Sequence, residues 1–215
     1  LWFWVPHPAM LWIPVLFVYG VAPAIDWLMG VDTSNPPESA VPALEAERYY
    51  RHVTFGLVPL LWAAFVGAAW FSQRADLSWM GLAGLVIATG AVGGFCINLG
   101  HELGHKHERH NRIGAMLALA PTYYTHFAVE HNFGHHKRVS TPEDPASSRM
   151  GESFWKFLPR TVIGGFKSAV EIEKARLERK GKSFWSLDNE LLQGWAMSGS
   201  GVASTLLVAR SSTPS

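Results

Sequence analysis

"LSWMGLAGLVIATGAVGGFCINLGHELGH", Leu77 to His105, carries the two readings on which the fold turns. From Leu77 to Gly100 it holds no charged residue, and a helix needs ~20 predominantly apolar residues to cross a bilayer. It then runs without a break into His101-Glu102-Leu103-Gly104-His105, so any chemistry of these histidines sits at the end of a membrane span. H-E-x-x-H is also the spacing that sets two imidazoles and a glutamate on the helix of a zinc peptidase. Five residues alone do not separate that chemistry from other metal sites.

Outward from this stretch, the chain reads as a membrane protein. Hydrophobic residues make up 48% and charged residues only 16%, and several of the ten tryptophans flank apolar runs, as they do at a bilayer interface. A net charge of +1 says nothing about nucleic acid, and no basic tract is interleaved with base-stacking aromatics, so no nucleic-acid partner is expected. The single cysteine, Cys96, excludes an internal disulfide, and there is no C-x-x-C pair for zinc or an iron–sulfur centre. One-electron chemistry would therefore draw on an outside donor.

Spans are expected over about 9–29, 53–71 and 77–100. Pro14, Pro23 and Pro59 are tolerable in such a bundle, and Gly81, Gly84, Gly90, Gly93 and Gly94 allow close helix packing in lipid. The stretch "GVDTSNPPES" between the first two runs is turn chemistry. Arg48 and Arg51 lie between the first and second runs, and many basic residues follow the third, so the positive-inside rule places the histidines in the cytoplasm. Segment 113–129 is short and interrupted by Pro121 and polar residues, and is expected to be an interfacial or buried helix. Segment 131–190 is cytoplasmic in character, with an amphipathic helix over 168–180, and a further span begins at about 194–209. The expected fold class is all-α: a polytopic transmembrane helical bundle with a cytoplasmic histidine-box metal site, one partial domain over 1–215.

Of the ten histidines, His7 and His52 read as interfacial residues, and His107 and His110 as solvated members of the charged turn "KHERHN". His126 is a candidate to support a metal ligand from behind. His101 and His105 are four apart, so they share a helix face. "EHNFGHH" repeats the period with His131 and His135, and His136 follows. Five imidazoles with few carboxylates suit two metals, and imidazole binds iron well. One zinc with three ligands and an open position remains the hydrolytic alternative.

"NLGHELGHK", "EHNFGHH" and "TPEDPASSRMGES" closely resemble the membrane-bound alkane 1-monooxygenases, within the histidine-rich non-haem diiron desaturases and hydroxylases; "SNPPE…EAERYYR" and "FWSLDNELLQ" resemble the same family. The resemblance implies O2-dependent terminal hydroxylation of medium-chain n-alkanes to 1-alkanols at two non-haem iron ions in the bacterial cytoplasmic (inner) membrane. Electrons would come from rubredoxin and its NADH-linked reductase. His101, His105, His131, His135 and His136 match the family's first two boxes and are carried over as iron ligands. Glu102, Glu130 and Asp144, with His126, are candidates to hold the ligands' outer nitrogens. Phe95, Ile97 and Leu99 are candidates to line an apolar substrate channel. The family's third box, H-x-x-H-H, and its N-Y-x-E-H-Y-G segment are not in this sequence, which begins at Leu1 without an initiator methionine. The chain is accordingly read as a fragment, inactive by itself. Lys156, Arg160, Lys167, Lys174, Arg176, Arg179 and Lys180 form the expected docking face for an acidic electron donor, with anionic lipid headgroups as the alternative ligand of the same charges. The alternatives are a fatty-acyl desaturase or hydroxylase of the same site chemistry, an intramembrane zinc protease, and a membrane metal-binding protein without catalysis.

Overall fold

The computed structural model describes residues 7–106 and 108–211, and these form helices with no strand among them. His107 lies outside the described residues. Helix α1 is Pro8–Met29, α2 Val41–Ala46, α3 Arg48–Arg74 and α4 Trp79–Gly104. After the first histidine pair come α5 (Arg109–Leu119), α6 (127–138), α7 (Phe154–Arg179) and α8 (Glu190–Ser211).

Three helices are long and apolar enough to cross a membrane: Pro8–Met29, Arg48–Gln73 and Trp79–Gly104. They make this a multi-pass membrane protein. His7 caps α1, its Nδ1 accepting the Ala9 N–H at 3.2 Å, and Pro8 begins the helix where a missing N–H costs nothing. Ahead of Pro23 the helix widens into a π turn over Phe17–Val21, the kind of local adjustment that accommodates proline in a span. α3 carries Pro59 without breaking, and the Glu47 carboxylate caps it by accepting the Tyr49 N–H at 3.3 Å.

The chain folds as two compact units. One comprises the chain up to Phe95 together with the chain from Thr205. Within it the Trp12 indole lies against Gly84 and donates from Nε1 to the Met80 carbonyl at 3.0 Å. A Cβ at position 84 would sit 2.8 Å from that ring, so Gly84 is the small residue this packing requires; Gly90 and Gly94 face open space. An apolar cleft of about 390 Å³ runs between α1, α3 and α4, lined by residues such as Met10, Pro14, Ala64, Phe71, Leu85 and Val92.

The second unit, Cys96–Ser204, holds both histidine pairs. Cys96, Leu99 and Leu103 bury one side of the last turns of α4, and Leu119 of α5 packs so closely on Gly100 that a Cβ there would lie 2.5 Å from it. Val129, Ala169 and Leu191 tie α6, α7 and α8 into one core. The start of α8 is fixed by side chains: Asn189 Oδ1 accepts the N–H of Leu191 and Leu192, and the buried Glu173 accepts that of Glu190 at 2.6 Å.

Two segments depart from expectation. The stretch 113–129 is not one helix: α5 ends at Leu119, a 3-10 turn covers Ala120–Thr122, and Tyr123 takes a left-handed conformation (φ 56°) before α6. Pro121 supplies the cause, because its ring disrupts a continuing α-helix. The helix expected over 168–180 instead begins at Phe154. Its first half presents Trp155, Leu158, Val162, Ile163 and Phe166 to the exterior, a stripe with helical spacing beside the basic residues Lys156, Arg160 and Lys167.

Candidate metal centre

His101 and His105 stand one turn apart at the end of α4, opposite the face that Leu99 and Leu103 bury. Their Nε2 atoms are 3.0 Å apart. His131 meets them from α6, its Nε2 lying 3.3 Å from that of His105, and the Nε2 of His136 is 3.0 Å from that of His131. Four imidazoles from two helices therefore point the same ring nitrogen into one space.

The fourth member depends on an irregularity. In an α-helix, residue i+5 lies ~140° around the axis from residue i, so His131 and His136 would face different directions. Residues His131–His135 instead form a π turn, in which the His136 N–H donates to the His131 carbonyl. That i→i+5 closure brings the fifth residue back onto the face of the first. Gly134 makes room for it. A Cβ there would fall inside contact distance of Glu130 Oε1 and 2.6 Å from Arg138 Nη2.

The donor set fits a metal ion. Two nitrogens each ~2.1 Å from one ion stand about 3.0 Å apart at a right angle and about 3.4 Å apart in a tetrahedron, which brackets the separations of 3.0 and 3.3 Å. His101, His105 and His131 offer ligand atoms all within 4.8 Å of one another. Burial, with the neighbouring imidazoles adding to it, pushes His131 down to about 4, and burial likewise lowers His105. Both rings are thus neutral near pH 7, the form that ligates.

His135 stacks beside His131 at 5.4 Å between ring centres and turns its Nδ1 to the buried Asp144, 2.8 Å away. Burial would raise the Asp144 carboxyl, but hydrogen bonds from Ser147, the Ala146 N–H and His135 outweigh it and hold the group ionised below its usual range. An ionised carboxylate only accepts, so His135 Nδ1 is the donor of this bond and Nε2 is the nitrogen turned away from it. Carboxylate, oriented imidazole and free Nε2 form the arrangement that tunes a metal ligand.

The other supporting candidates lie elsewhere. Glu102 is exposed and pairs with Lys106 at 3.0 Å. A glutamate four residues before a lysine finds it along the helix surface, and this one faces solvent rather than the imidazoles. Glu130 is buried, but it bonds Arg138 (3.0 Å) and Ser168 (3.1 Å) beneath α6 and no histidine. His126 is buried between Tyr124 and Phe166, and its Nε2 makes no hydrogen bond among the described residues. His110 is exposed near the start of α5.

A cavity of about 410 Å³ adjoins His105 and His136, lined also by Met116, Asn132, Phe133 and Glu190. Phe95, Ile97 and Leu99 do not line it: Leu99 is in the core, Ile97 half-buried and Phe95 exposed. Sequence reasoning also missed Phe127, whose ring stacks on His131 at 4.8 Å, and Ser168 and Arg138, which join Glu130 under the π turn. A serine thirty residues from its partner leaves no local signal. Four members of the expected docking face are also engaged: Arg160 binds Glu152 and two loop carbonyls, Arg176 binds Glu173 and the Asp188 carbonyl, Lys174 lies 3.9 Å from Glu178, and Arg179 Nε donates to the Ala175 carbonyl at 3.3 Å.

Comparison with known proteins agrees with this geometry. Residues 77–209 match the fatty acid desaturase family. The chain is 51% identical over 178 residues to the alkane 1-monooxygenase of Acinetobacter baylyi, covering 83% of this chain and 44% of that protein. It is 48% identical over 179 residues to the alkane 1-monooxygenase of Ectopseudomonas oleovorans (83% and 45%). It is 30% identical over 115 residues to the xylene/toluene monooxygenase hydroxylase component XylM of Pseudomonas putida (52% and 31%). The chain spans about half the length of the alkane 1-monooxygenases it matches. With more than half of its residues matched and its histidine pairs converged at the end of a span, the chain belongs to the fatty acid desaturase family.

Proposed function

We propose that the protein is an alkane 1-monooxygenase, hydroxylating the terminal carbon of medium-chain n-alkanes with O2 at a histidine-ligated pair of non-haem irons. The observation that carries the reading is the convergence of four imidazole nitrogens without a carboxylate among them, in a chain 48–51% identical to alkane 1-monooxygenases. His101, His105, His131 and His136 would hold metal through Nε2, and His135 would join them with Asp144 behind it. Iron held by these residues would supply the O2 activation that an unactivated C–H bond demands. The chain's own residues hold His105 and His131 neutral, orient His135 through the buried Asp144, and wall the site with Phe127 and Phe133. An n-alkane has no polar group to bind, so apolar surface alone selects and positions it, and the cleft between α1, α3 and α4 is of that character.

Rubredoxin, reduced by its NADH-linked reductase, is the proposed electron donor, and the cytoplasmic face of the inner membrane the proposed location of the site. Charge supports both. The basic residues concentrate after Gly100, and Lys167, Lys174 and Arg179 on α7, with Lys180 just past its end, are exposed toward an acidic partner. The zinc-protease alternative loses its general base, because Glu102 is turned to Lys106. The test is product and metal analysis of the full-length protein. Octane with a rubredoxin system should give 1-octanol, with iron near two per chain. Unsaturated acyl lipid would favour the desaturase reading, and one zinc the protease.

A further inference from the structure

We propose that Arg160 is a positioning residue for the metal site, acting on His135 through Asp144. The inference rests on the reading of His135 as a ligand.

Arg160 spends its whole guanidinium on the loop that carries Asp144. Nε and Nη2 form a two-pronged pair with Glu152 at 2.8 and 2.6 Å. Nη1 donates to the Pro145 carbonyl at 3.1 Å and Nη2 to the Ser147 carbonyl at 2.8 Å. The two carbonyls belong to the residue after Asp144 and to the residue whose hydroxyl bonds it. Ser147 Oγ donates to Asp144 Oδ2 at 2.5 Å and accepts the Ser140 N–H at 2.8 Å, while Asp144 Oδ1 accepts the Ala146 N–H at 3.0 Å. Glu152 closes the loop's far end by accepting the Arg149 N–H at 3.0 Å. On the other side Pro145 sits on Gly164, where a Cβ would lie 2.7 Å from the proline ring.

Arg160 and Gly164 are four apart on α7, so a single helix face fixes the loop by a charge at one point and by contact at the next. The loop is neither helix nor strand; its own turns are closed by Asp144 N–H on the Thr141 carbonyl and Glu152 N–H on the Arg149 carbonyl, and Arg160 is the side chain that ties those turns to α7. Asp144 is fully buried and meets His135 Nδ1 between the two carbonyls that Arg160 holds. Lysine could not substitute, because it has neither the planar fork for Glu152 nor enough donors at the right spread for two carbonyls as well.

The experiment is Co2+ titration of the full-length protein in detergent, followed by absorbance, for wild type, His135→Ala, Asp144→Asn, Arg160→Gln, Arg160→Lys, Gly164→Ala and the double variant Arg160→Gln/Asp144→Asn. The component of binding lost in His135→Ala defines the relevant site. Partners behind a ligand are worth ~10–100-fold in metal affinity. Asp144→Asn should weaken that component within this range, and Arg160→Gln by about 10-fold, with Arg160→Lys no better. Gly164→Ala, which removes no charge, should weaken it too. The double variant should bind no more weakly than Asp144→Asn alone, because the arginine acts only through the aspartate. Losses that multiply in the double variant, or an Arg160→Gln protein that binds like wild type while Asp144→Asn does not, would overturn the proposal. If His135→Ala removes no component, the reading of His135 and this proposal fall together.

Discussion

Gly134→Ala tests the π turn directly. The added methyl would enter the space between Glu130 Oε1 and Arg138 Nη2, two groups already bonded to each other and to Ser168. Overpacking of this kind costs ~1–3 kcal/mol. Displacing a charge-assisted hydrogen bond adds ~1.5–3 kcal/mol, and the low end applies because the Arg138 side chain is 33% exposed. Alanine recovers ~1 kcal/mol of helix propensity, leaving a net loss of about 1.5–3.5 kcal/mol. The matched control is Gly165→Ala on α7, where a Cβ meets only Glu130 Cγ at an ordinary 3.9 Å, and which should be neutral or stabilising by up to ~1 kcal/mol. Denaturant unfolding of the full-length protein in micelles, followed by tryptophan fluorescence, reads both. Co2+ titration should show weakened binding in Gly134→Ala, because relief of the clash turns His136 away from His131. A Gly134→Ala protein as stable and as metal-competent as Gly165→Ala would refute the reasoning.

His135→Ala should lower bound iron and abolish alkane oxidation, while His110→Ala should leave both near wild type by metal analysis and product yield. Arg160 first, then the Arg149 N–H, hold Glu152 down to about 2 against an ordinary 4.5. Its contribution to stability is therefore complete above pH 4.5 and is lost as pH falls toward 2, so the melting temperature of Glu152→Gln should fall less steeply than that of wild type across that window. For an acidic electron donor, kcat/KM should drop as salt rises, since the Debye length is only ~8 Å at physiological ionic strength. Lys174→Glu with Arg179→Glu should lower it further at low salt, and salt-independent turnover under donor-limited conditions would remove the docking face.

The features legible in the sequence are those with a local cause. A bilayer imposes a length, so "GLAGLVIATGAVGGFCINLG" declares a span whatever surrounds it. The i, i+4 histidine pairs declare a shared face for the same reason. His136 is assigned by resemblance, and nothing in "HNFGHH" announces that the turn between its histidines widens to bring it round. Its cause lies in the space Gly134 leaves over the half-buried Glu130–Arg138 pair. Arg160 and Arg176 look like free surface charge because their partners, Glu152 with two loop carbonyls and Glu173 with the Asp188 carbonyl, become partners only through the fold. Pro121 is visible in the sequence, but the apolar character of 113–129 outweighs it there, and only the folded chain shows the helix ending before it.

A π turn is a helical turn with one residue more than regular hydrogen bonding calls for. The interval from His131 to His136 is therefore constrained in length as well as in composition. Deleting a single residue from 132–134 would restore an ordinary turn and retain every histidine, yet it would change which imidazoles look at one another. Among related sequences, an insertion or deletion at this point carries more weight than several substitutions: two chains that share all their histidines but differ by one residue in this interval do not share a metal site.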